Sequence, residues 1–553
     1  MMSTIPIYRA LAEDFRAEGV TAHFTLMGDG NMHWATAMAG IDGMMTVHAR
    51  HEHCACGMAM GYHSATGKVG VASVTYGPGF TQIMTILTTA ARAQVPLVVF
   101  SGETPLSSKW NTQATDQRAL ALACGAHYIS AHHPDRMHDY VREAFYTARH
   151  HRKPTILGVP HDLQMQPMPQ IGAYQASEAL LPKSQRIIPH PAQIELVAEK
   201  LANARCPIIL AGRGVIWSEA ADAVEALAEQ SGALLSTTLL TRGLYDHNPF
   251  SLGVCGGFAR NIAQEMFGQA DLIIAFGASL NYFTVDGGQL FSRADEVIQV
   301  DTDFGGSNDG RWTADVFLRS DAKLAAQALL KAFPAPDSIR SSVRTDALAH
   351  RIRHEPADDT PYEVDPGTLD PRKVAEVLEK IIPGDYDVIS GTGHQSYFHT
   401  TMRGGDPRRY HAMRDFGAIG NSLSYAIGVA AARGDGKVVL FEGDGSLLMH
   451  IQELETIKRH KLKLLIVCSN DGAYGAEIHK LRAHGLDDSG AIFGRLNFEA
   501  VARSFGLEGG TVTDIGQFSE LMQRYEHHEE AAIWNIHISD KVMNPRMKSV
   551  VKA

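Results

Sequence analysis

A chain of 553 residues with 45% apolar and 20% charged side chains has the balance of a globular protein, with material for ~three or four domains. Its 50 Lys and Arg against 61 Asp and Glu give a net charge of −11 with no long basic run, which argues against nucleic acid or an anionic membrane surface as partner. Six cysteines without a spaced framework suggest free thiols in a reducing cytosol. The N-terminal stretch MMSTIPIYRALAEDFRAEGV lacks the apolar core of a secretory signal, and runs such as PLVVF are too short to span a bilayer, so a cytoplasmic protein is expected.

Strands alternate with helices in three blocks separated by Pro- and charge-rich stretches. The pattern predicts an α/β protein with three doubly wound parallel sheets. In the first block, FTLMGDGNMHW places Asp29, Asn31 and His33 on or just after a Gly-Asp-Gly turn. Residues 47–62, VHARHEHCACGMAMGY, carry Glu52 from a strand-like stretch into a helix, in which Ala55, Gly57, Ala59 and Gly61 permit close packing. VGVASVTYGPGFTQ then gives a strand through Thr75 and a Gly77-Pro78-Gly79 turn, and VPLVVFSGETP a further strand. The C-x-C at the helix start directs Cys54 and Cys56 to different faces, so a zinc site is not expected there. His132-His133 reads as surface. The block closes near Gly158-Val159-Pro160, and QMQPMPQIGAYQASEALLPKSQRIIPHP reads as a linker.

The second block, about 190–335, alternates CPIILAG, ADLIIAFG and EVIQVD with helical segments. A second linker, FPAPDSIRSSVRTDALAHRIRHEPADDTPYEVDPG, leads into the third block near residue 370. There YDVIS precedes Gly391-Thr392-Gly393-His394-Gln395, and Gly417-Ala418-Ile419-Gly420 follows. KVVLFEGDGSLLMHIQELETIKRHKLKLLIVCSNDGAY reads as strand, Gly443-Asp444-Gly445 turn, a single amphipathic helix carrying Leu447, Leu448, Ile451, Leu454 and Ile457, and a buried strand ending near Asn470. Open α/β sheets bind ligands beyond such strand ends, and a carboxylate with an amide oxygen suits a hard cation carrying a diphosphate.

Gly443-Asp444-Gly445, 24 residues and then Asn470 resemble the thiamine diphosphate (ThDP) motif. Arg50-His51-Glu52 followed by Gly77-Pro78-Gly79 resembles the pyrimidine-binding domain of the acetolactate synthase and pyruvate decarboxylase group. The resemblance covers almost the whole chain. It implies a pyrimidine-binding domain over residues 1–180, a central nucleotide-domain-like unit over 190–340 and a diphosphate-binding domain over 365–553. It also implies Mg²⁺ on Asp444, Asn470 and the backbone oxygen of Gly472, with Asp471 standing where many relatives have a second asparagine. The cofactor would be held by Glu52, Thr75, Gly77, Gly393, His394, Gln395, Gly417, Ile419, Gly443, Asp444, Gly445, Ser446, Asn470, Gly472, Ala473 and Tyr474. Ile419 would be the wedge between its two rings.

In this family the glutamate equivalent to Glu52 hydrogen-bonds the aminopyrimidine and so promotes proton removal from the thiazolium carbon. Asp29, His33, Gln117 (or Gln113) and Glu477, with His479 nearby, are the further candidates for substrate and proton handling. The resemblance implies an enzyme that makes or breaks a carbon–carbon bond next to a carbonyl, a 2-oxo acid decarboxylase or carboligase of acetolactate synthase-like type. Rivals on the same fold are a 1,2-diketone hydrolase and a 2-hydroxyacyl-CoA lyase; a non-enzymatic rival is a ThDP-binding regulatory subunit. The segment Gly277–Phe283 lacks the arginine that acetolactate synthases give to flavin, which argues against FAD. Gly212-Arg213-Gly214 and Val300-Asp301 keep a nucleotide-domain look that leaves an adenine nucleotide open. A homodimer is the expected minimum, with a homotetramer implied by the family, acting on a small-molecule 2-oxo acid or ketone.

Overall fold

Three six-stranded sheets, each entirely parallel, follow one another along the chain in a computed structural model that describes residues 5–181, 185–304, 314–333 and 341–547. Residues 182–184 and 334–340 of the expected linkers and the last residues of the C-terminal tail lie outside these. The first sheet runs Met45–His48, Ala22–Thr25, Gly70–Val74, Leu97–Glu103, Thr155–Pro160, His127–Ser130 from edge to edge. The second runs Val316–Arg319, Glu296–Asp301, Leu272–Phe276, Pro207–Ala211, Leu234–Thr237, Ser251–Val254. The third runs Tyr410–Ala412, Asp387–Ser390, Val438–Gly443, Leu465–Asn470, Ala532–His537, Glu508–Val512. Central strands such as Leu465–Asn470 and Leu272–Phe276 are buried on both faces, which is why they read as unbroken apolar runs rather than alternating ones. No helix among the described residues is long and apolar enough to cross a membrane.

The first and third sheets share one hydrophobic core, joined by helices Glu52–Thr66 and Ser422–Arg433. The small residues seen in the sequence explain the approach. A Cβ on Gly61 would lie 2.0 Å from the Tyr425 carbonyl oxygen, and one on Gly57 would lie 2.2 Å from Ser424 Oγ. Only glycine lets two backbones come this close. The second sheet has its own cores and meets the third through Arg242, whose Nε donates to the Thr400 carbonyl at 3.1 Å.

Two local expectations are corrected. The helix after Gly445 is broken: Asp444–Met449 and Glu453–Arg459 flank His450, which leaves helical geometry at φ −133° and bonds the Gly420 carbonyl through Nδ1 at 2.8 Å. The second linker contains a helix, Asp346–His354. Thr345 caps it by accepting from Leu348 N at 3.1 Å, Leu348 and Ile352 bury one stripe, and Arg351, Arg353 and His354 favour its C-terminus.

Candidate active site

At the C-terminal edge of the third sheet a cavity of about 460 Å³ gathers three loops that are far apart in sequence. Gly393, His394 and Gln395 line it from the loop after Asp387–Ser390, Gly417 and Ile419 from the next segment, and Gly443–Ser446 with Asp471, Ala473, Tyr474 and Glu477 from the remainder. Asp444 opens its helix directly, so the Gly-Asp-Gly segment is not a left-handed turn. Its glycines serve close approach instead. A Cβ on Gly445 would meet the Tyr474 ring at 2.7 Å, and one on Gly443 would meet the Gln395 carboxamide at 3.3 Å.

The oxygens expected to bind a metal are brought together and are unequal. Asp444 Oδ2 accepts from the Gly472 N–H at 2.8 Å, and Oδ1 accepts from Gly445 N at 2.8 Å. Asn470 is fully buried; its Nδ2 donates to the Leu496 carbonyl at 2.9 Å and to Asn535 Oδ1 at 2.8 Å, which fixes the amide and leaves Oδ1 without a partner. A buried, orphaned acceptor costs free energy unless something donates to it or coordinates it. Burial pushes the Asp444 carboxyl up to about 6, and burial together with the neighbouring charge of Asp444 holds that of Asp471 well above the usual carboxylate range. A divalent cation would relieve both conditions, and these groups fit one. The Gly472 carbonyl differs from expectation. It already accepts from the N–H groups of Phe493 and Gly494, both at 2.9 Å, because loop 472–474 pairs with 491–494. The oxygens left open are those of Asp444, Asn470 and Asp471.

His394 is buried and held neutral, its pKa pushed far down by burial and by His479, whose ring lies 4.5 Å away. Asn544 N donates to its Nε2 at 3.1 Å, and Asn544 Nδ2 donates to its carbonyl at 2.9 Å, so the C-terminal segment fixes this loop. No sequence motif marks Asn544. Glu442, just before Gly443, was also missed; it is buried, its carboxyl is pushed up to about 7 by burial, and its Oε2 has no partner. Glu477 is exposed and pairs with Lys480 at 3.2 Å, while His479 beside it is buried with Nε2 unpartnered.

The second group of candidates sits at the strand ends of the first sheet. Glu52 begins its helix after the cap His51, half-buried, with its pKa raised by burial. The Gly77-Pro78-Gly79 turn packs over it: a Cβ on Gly79 would lie 3.1 Å from Glu52 Oε1 and 2.7 Å from the Thr75 methyl. Gly77 has φ +65°, which favours glycine, and its N–H donates to Gln117 Oε1 at 3.1 Å. Gln117 Nε2 donates in turn to the Gly102 carbonyl and to Tyr128 Oη, both at 3.0 Å, so its buried amide is saturated by protein and holds the turn in place. Thr75 Oγ1 accepts from Gly30 N at 2.9 Å, which seats the exposed Asp29 on the same cluster. His33 goes elsewhere. The helix starts at Met32, and the His33 ring packs between Tyr8 and His161, with centroids at 5.7 and 5.6 Å. His132 is half-exposed, yet its Nε2 lies 2.5 Å from Glu103 Oε2.

Within one chain the Glu52 cluster does not line the Asp444 cavity. The segment around Glu52 instead meets other residues of the third block. Arg50 N donates to Glu453 Oε1 at 3.0 Å, and His53 Nε2 lies 2.7 Å from Asn421 Oδ1. In the central block, Gly277, Ala278, Ser279, Asn281 and Phe283 line a separate cavity of about 710 Å³, where Arg152, Arg213 and Arg414 supply positive charge from other segments. Among the described residues no group of three or more His, Cys, Asp and Glu is arranged for a metal.

Three family models fit the chain: thiamine pyrophosphate enzyme, N-terminal TPP binding domain, over residues 7–120; the central domain over 194–329; and the C-terminal TPP binding domain over 391–536. Among similar proteins, the acetolactate synthase large subunit of Parasynechococcus marenigrum (strain WH8102) is 28% identical over 537 residues, covering 94% of this chain and 85% of that one. Sulfoacetaldehyde acetyltransferase of Alcaligenes xylosoxydans xylosoxydans is 27% identical over 552 residues, covering 93% and 89%. Acetolactate synthase isozyme 2 large subunit of Escherichia coli (strain K12) is 27% identical over 514 residues, covering 90% and 89%. With three parallel sheets and three thiamine pyrophosphate enzyme domain models matched in order along it, the chain belongs to the thiamine diphosphate-dependent enzymes of the acetolactate synthase and pyruvate decarboxylase group.

Proposed function

We propose that the protein is a ThDP- and Mg²⁺-dependent 2-oxo acid decarboxylase or carboligase of acetolactate synthase-like type. The observation that carries this is the convergence of the three loops, Gly393–Gln395, Gly417–Ile419 and Gly443–Ser446, with Asp471 and Tyr474 on one cavity of about 460 Å³. ThDP, when bound, supplies a nucleophilic carbon and an electron sink. Every other task falls to the chain. Asp444 and Asn470, with Asp471 beside them, would hold the metal, and Gly393, Gln395 and Ser446 would face the diphosphate. Ile419 would give the cofactor an apolar support. The Gly472 carbonyl would join the metal only by giving up one of its two backbone bonds.

The raised pKa of Glu52 keeps a proton on its carboxyl at higher pH than an exposed glutamate would, and a protonated carboxyl can donate to a ring nitrogen. Because Glu52 is absent from the cavity of its own chain, the completing Glu52 would come from a second copy, with a homodimer as minimum. Asp29, on its exposed loop, and Glu477, at the cavity mouth, are the groups placed to exchange a proton with substrate. Gln117 acts through the turn it holds, and His33, turned toward Tyr8, is the weakest of the earlier candidates. This chemistry needs no flavin.

The test is a Glu52→Gln variant assayed with saturating ThDP and Mg²⁺ against 2-oxo acids, 1,2-diketones and sulfoacetaldehyde, following CO₂ and products by mass spectrometry. Turnover should fall by at least ~10²-fold with the cofactor still bound. Unchanged turnover would sink the mechanism. Diketone cleavage without CO₂ release would move the assignment to a hydrolase.

A further inference from the structure

A second cavity, of about 450 Å³, lies where the second sheet, helix Asp346–His354 and segment 400–403 meet, away from the residues assigned above. Its lining is strongly cationic: Arg242, Arg260, Arg353 and Arg403, with His350 and His354, whose tilted rings have centroids 4.4 Å apart. Arg242 is buried and Arg260 and Arg403 are half-buried, and their guanidiniums donate to neutral groups. Arg242 donates to the carbonyls of Thr400 and Met402, Arg260 to those of Ile352 and Glu355, and Arg403 to that of Ile352. Carbonyl oxygens satisfy donors without cancelling charge. Arg260 still has a buried Nε with no partner, and burial together with Arg403 pushes its pKa down to about 10. Arg353 is exposed and has no hydrogen bond or ion pair among the described residues.

The carboxylates facing the site are few and already engaged. Asp246 accepts from Gly404 N at 2.7 Å, Glu379 accepts from Arg403 N at 2.5 Å, and Glu225 holds the rim residue His247 at 2.9 Å. In a chain of net charge −11, the arginines gathered around this concavity outnumber the two carboxylates, Asp246 and Glu379, that oppose the charge of Arg260, and leave a local excess of positive charge. Planar guanidinium forks match phosphoryl oxygens, and a cavity of this size exceeds a single phosphate.

We propose that this cavity binds a small phosphorylated metabolite as an effector, through Arg260, Arg353 and Arg403, independently of the reaction at the ThDP site. Its position gives it a route to that site. Thr400–Arg403 directly continues helix Ser396–Thr400, and that helix follows the Gly393–Gln395 loop of the cofactor cavity. Anything that fixes Arg403 therefore restrains the loop, and binding at either site must alter affinity at the other by the same factor.

The test is calorimetric titration of the ThDP- and Mg²⁺-loaded enzyme with inorganic phosphate, fructose 1,6-bisphosphate and, as a carboxylate control, citrate. The bisphosphate should bind at millimolar concentration or tighter, and Arg353→Glu should weaken it at least ~10-fold, since this exposed residue can be reversed without opening the core. Arg260→Gln should act in the same direction, with circular dichroism checking its fold. Absence of binding by both phosphates, binding that Arg353→Glu leaves unchanged, or tighter binding of citrate would overturn the assignment. A shift of two-fold or more in the ThDP concentration giving half-maximal activity is expected with the bisphosphate present; an unmoved value with binding intact would overturn the effector role.

Discussion

Gly428 stands where any side chain would lie 1.9 Å from the carbonyl oxygen of Met58. That single approach welds the helix carrying Glu52 to the helix that follows Ile419, and so fixes the first block against the third. Gly428→Ala should gain ~1 kcal/mol of helix propensity and lose more, because a backbone oxygen cannot move aside as a flexible side chain can. A net destabilisation of about 2 kcal/mol is expected, read as a lower apparent melting temperature. A higher one would show that the helices are not in this contact.

The orphaned oxygen of Asn470 predicts a metal-specific defect. Asn470→Ala removes Oδ1 together with the bonds to Leu496 and Asn535. Mg²⁺-dependent binding of ThDP should weaken at least ~10-fold, measured by fluorescence titration at several metal concentrations. Asp444→Ala should weaken it further, since it removes a charge as well. If ThDP bound equally well with EDTA and with Mg²⁺ in the unaltered protein, the metal reading would be lost.

Gln117 offers a way to separate positioning from contact. Replacing it by leucine leaves the N–H of Gly77 without its partner, whereas the Gly102 carbonyl keeps Ser101 Oγ and Tyr128 Oη keeps Glu103. A buried group left unsatisfied costs about 1–3 kcal/mol, so stability should fall and the turn over Glu52 should loosen. The expected kinetic result is a lower kcat with ThDP affinity reduced alongside it. A change confined to the KM for substrate would instead make Gln117 a substrate contact.

Stability carries its own pH signature at Asp14. Burial raises this carboxyl to about 6 despite its 2.7 Å bond to His138, whereas the unfolded value is about 4. The folded chain thus holds the proton more tightly. The stability this contributes is complete below about pH 4 and is lost as pH rises through about 6. Asp14→Asn should stabilise the protein by on the order of 1–2 kcal/mol at pH 7.5 and by nothing at pH 4. Melting temperatures of both proteins across that range check it; a difference independent of pH would show that Asp14 is not the group titrating.

Much of the architecture was legible before any coordinates, because its signals are local. Apolar runs marked the parallel strands, the glycines of 57–61 marked a close-packed helix, and the loops around Glu52, Gly393, Ile419 and Asp444 fell at strand ends. Each reading needed only period, turn chemistry and the rule that open sheets bind ligands at those ends. The helix Asp346–His354 is equally local, with its Thr345 cap and paired Leu348 and Ile352, but the prolines and charges around it mask the signal.

What tertiary structure alone decided were the long-range pairings. Residues 491–494 occupy the Gly472 carbonyl that the motif assigns to metal, and Asp471 is brought up against Asp444. The Gly420 carbonyl breaks a helix thirty residues onward at His450. His33 faces Tyr8 and His161 because its helix begins one residue before it. The arginine-lined cavity exists only where segments near 242, 260, 353 and 403 meet. Hydrogen-bond capacity and charge compensation are properties of such meetings: a residue's type states what it can donate or accept, and only its distant neighbours determine whether that capacity is already spent.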